Sequence, residues 1–217
     1  MIFDFILRYG LQIFLWVVFA LAVFFYMTKS RRYPEKTEKF FSVLIAAAIT
    51  GRLLDAAIKT IAQYYLWSGD ALTQPFLNAG LNSEIPVFLN KLTLFQSSGG
   101  YFLFYVLMRF WLSVFVSIAV ALLFGALLGI LKKRRERFFD VGEIKLGMLA
   151  AFLVGWPNFT IFLPLVFGSI VIISVIRLIV FKIKYTTLGL PFILACGATL
   201  ILSGVIGPLI NLNVLKI

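Results

Sequence analysis

The sequence predicts an all-α fold, a polytopic transmembrane helical bundle of about six membrane helices, and three observations carry that expectation. The 217 residues are 62% hydrophobic and 13% charged, with a mean hydropathy of +1.02, whereas ordinary globular domains carry roughly 25% charged residues. Several uncharged runs reach the ~20 residues needed to cross the hydrocarbon core. The basic residues gather between those runs, where orientation in the membrane and anionic headgroups account for a net charge of +11. No surface interleaving aromatic and basic residues argues for nucleic acid. The chain reads as one membrane domain, 1–217.

Helix 1 is expected over 7–28, with Asp4 and Arg8 at its start. Ala20-Leu21-Ala22 has the pattern of a signal cleavage site, but apolar sequence continues to Met27 and basic residues follow, so the segment reads as a retained helix. The basic loop 29–39 belongs in the cytoplasm by the positive-inside rule, which puts the N-terminus outside. Pro34-Glu35 suits the start of helix 2, expected over 40–66. Residues 67–98 form the long outer loop, with Gly69, Pro75, Asn78, Gly80, Asn82, Pro86 and Asn90 as breakers. In it Phe76, Leu77, Phe88, Leu89 and Phe95 suit short amphipathic pieces on the membrane surface.

Helix 3, 100–131, is longer than a bilayer needs, so it either tilts or begins with an interfacial piece before Phe110. Ser113 and Ser117, then Gly125 and Gly129, give it small faces for close packing. The run at 132–137 is a second cytoplasmic basic cluster, read as a topology signal. From Leu146 to Ile176 no charge occurs, which is too long for one span. Gly155-Trp156-Pro157-Asn158 reads as an outer turn separating helix 4, 144–156, from helix 5, 159–181. Helix 6, 186–210, is interrupted by Pro191 and brings both ends of the chain outside.

Little soluble-enzyme chemistry is available to this chain. It has no histidine, the commonest general base and metal ligand. Cys196, alone in an apolar run, makes neither a disulfide nor a thiolate metal site. Phosphate loops, GxSxG and metal spacings are missing, so no cofactor is expected. What remains is a set of membrane-placed polar groups: Tyr9, Arg52, Asp55, Lys59, Arg109, Asp140, Glu143, Lys145, Asn158 and Arg177. Arg52, Asp55, Lys59 and Gln63 fall at i, i+3, i+7 and i+11, one polar stripe along helix 2. Such a stripe faces a protein interior or a wet cavity rather than lipid. It suits an anionic lipid head, which an arginine fork binds bidentately, and equally an Arg–Asp pair that locks two helices together or an outer helix end lying near the membrane interface.

The order of these residues resembles a family. Arg8-Tyr9-Gly10-Leu11, Arg31-Arg32, Pro34-Glu35-Lys36, Gly51-Arg52 and the stretch 85–100 look like prolipoprotein diacylglyceryl transferase. So do Arg137-Phe138-Phe139-Asp140-Val141, Ile176-Arg177-Leu178-Ile179-Val180 and the stretch 188–193. The resemblance implies a multi-pass enzyme of a bacterial-type plasma membrane that moves a diacylglyceryl group from phosphatidylglycerol to a prolipoprotein cysteine. It implies that Tyr9, Arg52, Asn158 and Arg177 line the lipid cavity. Ser98, before Gly99-Gly100, stands where the family has a histidine, and the family's Gly-Arg-x-Gly-Asn has become Gly155-Trp156-Pro157-Asn158-Phe159. These departures point to a lipid-binding member whose activity is altered or lost.

A second resemblance competes. Asp140-Val141-Gly142-Glu143-Ile144-Lys145-Leu146, with Gly155-Trp156 and Leu190-Pro191-Phe192, looks like the second half of type IV prepilin peptidases. It implies an intramembrane aspartyl protease with Glu143 as one carboxylate, and Asp55 is a candidate partner. A third reading is a non-enzymatic assembly subunit whose polar residues satisfy one another.

Overall fold

The computed structural model describes residues 2–29, 34–81, 93–134, 139, 142–182 and 187–209, and among them every regular element is helical. The elements are α1 (Ile2–Lys29), α2 (Pro34–Gly69), two short pieces α3 (Gln74–Asn78) and α4 (Thr93–Gln96), and α5 (Gly100–Val106). A π-helical turn (Leu107–Trp111) joins α5 to α6 (Leu112–Arg134), followed by α7 (Glu143–Val154), α8 (Phe159–Phe181) and α9 (Gly189–Leu209). The all-α bundle is therefore the architecture. The expected six spans are not confirmed among the described residues. Four helices are long and apolar enough to cross a membrane, within 9–28, 36–69, 100–134 and 159–180. The apolar part of α9, Gly189–Ser203, is shorter. With 12 residues, α7 rises about 18 Å, little more than half of a ~30 Å hydrocarbon core.

The short helix is the centre of the molecule. Along α7, Leu146, Leu149, Ala150, Ala151, Phe152 and Leu153 are all buried, because α6, α9 and α2 pack around it. Outer helices show the opposite pattern. On α8, Phe167, Val171, Ile172, Leu178 and Ile179 are exposed, and an exposed face of that composition belongs against lipid. These are the helices of a membrane-embedded protein. Phe124 of α6 ties the bundle together, meeting Phe159, Phe162 and Phe192 edge-on at 5.5, 6.0 and 5.9 Å.

Local chemistry explains most boundaries. Pro34 is the first residue of α2, where its missing N–H costs nothing. The same reasoning corrects Pro191, which stands in the first turn of α9 and starts that helix rather than interrupting it. The π turn falls where helix 3 was expected to change character. Phe95 is buried against Phe104 at 6.0 Å, so it is a packing residue and does not lie on the membrane surface. Phe88 and Leu89 lie outside the described residues. Of the two small pairs, Ser117 and Gly125 sit in packed contacts, while a side chain at Gly129 would meet open space.

Where α7 ends matters most for the site. Gly142, just before α7, lies on Thr37 and Phe41 near the start of α2, and Leu153 at its other end meets Arg52. The two helices thus run parallel. Arg52 stands at the midpoint of α2, and Ser117, which receives a hydrogen bond from the Trp156 N–H at 2.9 Å, stands at the midpoint of the α5–α6 rod. The turn 155–158 was expected at the outer end of the bundle. It lies instead level with the middles of the two longest helices, because α7 stops halfway.

Candidate functional site

The last four carbonyls of a helix have no partner within it, and α7 ends in the interior of the bundle, where the Gly155 N–H caps the Ala151 carbonyl at 3.0 Å. Arg52 answers one of them: its Nη2 donates to the Leu153 carbonyl at 3.0 Å. The guanidinium also lies over the Phe152 ring, 5.2 Å from the centroid. Close approach is possible because residue 155 is glycine. Its φ is +65°, and a Cβ there would stand 2.5 Å from Arg52 Nη2 and 2.8 Å from Nη1, so any other residue strains the backbone and pushes the guanidinium aside.

Arg52 is only 8% exposed, and its Nε is buried without a hydrogen-bond partner. Five N–H donors are more than one helix end can use. No carboxylate among the described residues makes an ion pair with it; Asp55, one turn on, binds Lys59 instead at 2.7 Å. Beside the guanidinium is a cavity of about 330 Å³, lined by Gln12 and Trp16 from α1, Lys59 from α2, Trp156 and Asn158 from the turn, and Ser203 from α9. Asn158 precedes α8, and its side chain makes no capping hydrogen bond. The first N–H groups of α8 are bonded within the turn, Phe159 to Gly155 and Thr160 to Pro157, so side chains carry the binding capacity here. The cavity thus gathers the Arg52 guanidinium, the Asp55-paired Lys59 ammonium and neutral amide, hydroxyl and indole groups, a set whose chemistry suits an anion with polar substituents.

Arg52 and Asn158 are the two lipid-site residues the structure brings together. Tyr9 lies one turn beyond Gln12 on the same face of α1, half exposed and not part of the lining. Ser98 is exposed in the turn before α5. Arg177 lies about 27 Å farther along α8 than its first residue, so it stands apart from this cavity. The stripe on α2 also splits: Arg52 and Lys59 face the cavity, while Asp55 lines a neighbouring groove. Gln12 is the residue that sequence reasoning passed over, and it carried a signal as the lone amide in the apolar run of α1.

The alternative protease pair is not assembled. Glu143 is 1% exposed. Its carboxylate accepts hydrogen bonds from the Gly189 N–H at 2.8 Å, the Leu188 N–H at 3.1 Å and the Tyr26 hydroxyl at 3.3 Å. Glu143 therefore caps the start of α9 from across the bundle. Asp55 lies near the level of the other end of α7, about 15 Å away along the helix axis, and a shared-proton dyad needs near contact. Asp140, Arg8 and the second half of the 132–137 cluster give no further geometry: their side chains lie outside the described residues. Among the described residues no group of histidine, cysteine and carboxylates could hold a metal ion.

Compared with protein-family models, curated proteins and solved structures, the chain matches none.

Proposed function

We propose that this protein holds an anionic phospholipid inside the membrane, with the headgroup phosphate docked on Arg52. By the resemblance of its motifs, that lipid is phosphatidylglycerol and the protein is a diacylglyceryl-transferase-like membrane protein. The observation that carries the reading is the buried guanidinium with unused donors beside a polar cavity. Removing a charge from water costs several kcal/mol, and one carbonyl is a weak partner for it. A phosphate diester supplies two oxygens in the geometry of the arginine fork. Lys59 adds a second cation, and Gln12, Asn158 and Ser203 suit the hydroxyls of a glycerol headgroup.

Headgroup binding is better supported than group transfer. Attack by a thiol requires a group to take its proton, and neither carboxylate nor histidine lines the cavity among the described residues. Its one titratable base, Lys59, is held by Asp55.

The test has two arms. The protein in nanodiscs of mixed lipids, analysed by native mass spectrometry, is expected to retain phosphatidylglycerol in preference to phosphatidylcholine; no preference would remove the headgroup reading. A strain depleted of the transferase and supplied with this chain is expected to leave a reporter prolipoprotein unmodified. Lipidation of the reporter would restore the full transferase reading.

A further inference from the structure

We infer that the groove between α1 and α2 receives an acyl chain of the lipid whose phosphate docks on Arg52, an inference that rests on the headgroup reading. The groove has a volume of about 470 Å³, within the ordinary range of ligand pockets, and is lined by Leu11, Phe14, Ala47, Gly51, Leu54 and Ile58, with Asp55 among them. A Cβ on Gly51 would collide with the Phe14 ring, so the bare backbone of α2 lets that ring fold flat and form the floor.

Three observations point to a lipid chain as the occupant. First, the groove continues from the headgroup cavity: Leu11 lines both, and the Asp55–Lys59 ion pair at 2.7 Å stands between them, Asp55 on the groove side and Lys59 on the cavity side. Asp55, paired with Lys59, is the one charged residue of the groove lining. Second, the flanks of the groove, Ile13 on α1 and Leu54, Ile58 and Ile61 on α2, are exposed and apolar, so it opens sideways toward lipid. Third, apart from Thr50 and Asp55 its walls offer little for polar atoms to bond, which suits methylene groups and excludes a second headgroup.

The experiment compares ligands that share a headgroup and differ in their chains. Dipalmitoyl phosphatidylglycerol, dihexanoyl phosphatidylglycerol and glycerol phosphate are titrated against the full-length protein in detergent. The long-chain lipid is expected to bind at least about tenfold tighter than the short-chain one, since each buried methylene contributes favourably. Filling the groove with Ala47→Phe, or from its other wall with Leu54→Trp, is expected to weaken the long-chain lipid about tenfold and leave the short-chain lipid unchanged. Equal affinity for both chain lengths, or groove variants that weaken both alike, would overturn the inference while the headgroup reading stands. Glycerol phosphate binding as tightly as the lipids would likewise overturn it, in favour of a soluble anion. Failure of all three ligands would remove the headgroup reading itself.

Discussion

Two buried charges divide this bundle between them, and they are used differently. Glu143, at the basic end, is enclosed and receives three hydrogen bonds, two from the backbone at the start of α9 and one from Tyr26. Arg52, at the halfway break, makes one hydrogen bond to the end of α7, leaves its Nε unpartnered, and opens on a cavity. Both act on helix ends, where unpartnered backbone groups and the helix dipole favour a counter-charge. The difference is saturation. A saturated buried charge serves the fold, whereas one with donors to spare beside a cavity is the one we propose as a receptor.

Replacing each charge, or its support, probes the contrast. The largest effect is expected for Glu143→Ala, which strands two backbone N–H groups and a tyrosine hydroxyl in the interior. At about 1–3 kcal/mol for each orphaned donor, a loss of ~3–9 kcal/mol follows, read as a lower unfolding midpoint, and an unchanged midpoint would deny Glu143 its capping role. Gly155→Ala comes next. A side chain at φ +65° and ψ 176°, backbone angles essentially confined to glycine, costs about 1–3 kcal/mol, and the new methyl displaces the guanidinium, so stability and phosphatidylglycerol binding are expected to fall together in a calorimetric comparison. The smallest effect is Asn158→Ala. Its amide is free of capping duty, so stability should hold while lipid affinity drops roughly fivefold, the equivalent of one hydrogen bond of ~1 kcal/mol.

The sequence exposed some of this contrast and hid the rest. Periodicity alone put Arg52 and Lys59 on one face of α2, together with Asp55, which the fold turns to the neighbouring groove. The apolar runs marked every long helix, though α1 and α2 start five and six residues earlier than expected. What it could not carry was depth. Gly155-Trp156-Pro157-Asn158 has the composition of a surface loop, and only the contacts of Arg52 and Ser117 reveal a break inside the bundle. The role of Glu143 was hidden for a related reason: its backbone donors lie 45 and 46 residues away, beyond any local pattern. Motif likeness grouped Ser98 and Arg177 with Arg52, but the fold places them elsewhere, because short matches constrain neither side nor level in a membrane.

On the proposed reading, Arg52 is kept for a ligand and not for the fold. Arg52→Met tests it directly, since an apolar side chain of similar length fills the space and removes a costly buried charge. Unfolding midpoint and bound phosphatidylglycerol should be measured on the same preparation. The account predicts stability within about 1 kcal/mol of the parent, or above it, as found when buried charges are replaced by well-packed apolar groups, with phosphatidylglycerol affinity reduced at least about tenfold. A variant that binds the lipid as the parent does but unfolds as readily as Glu143→Ala would contradict it, making Arg52 a second structural cap.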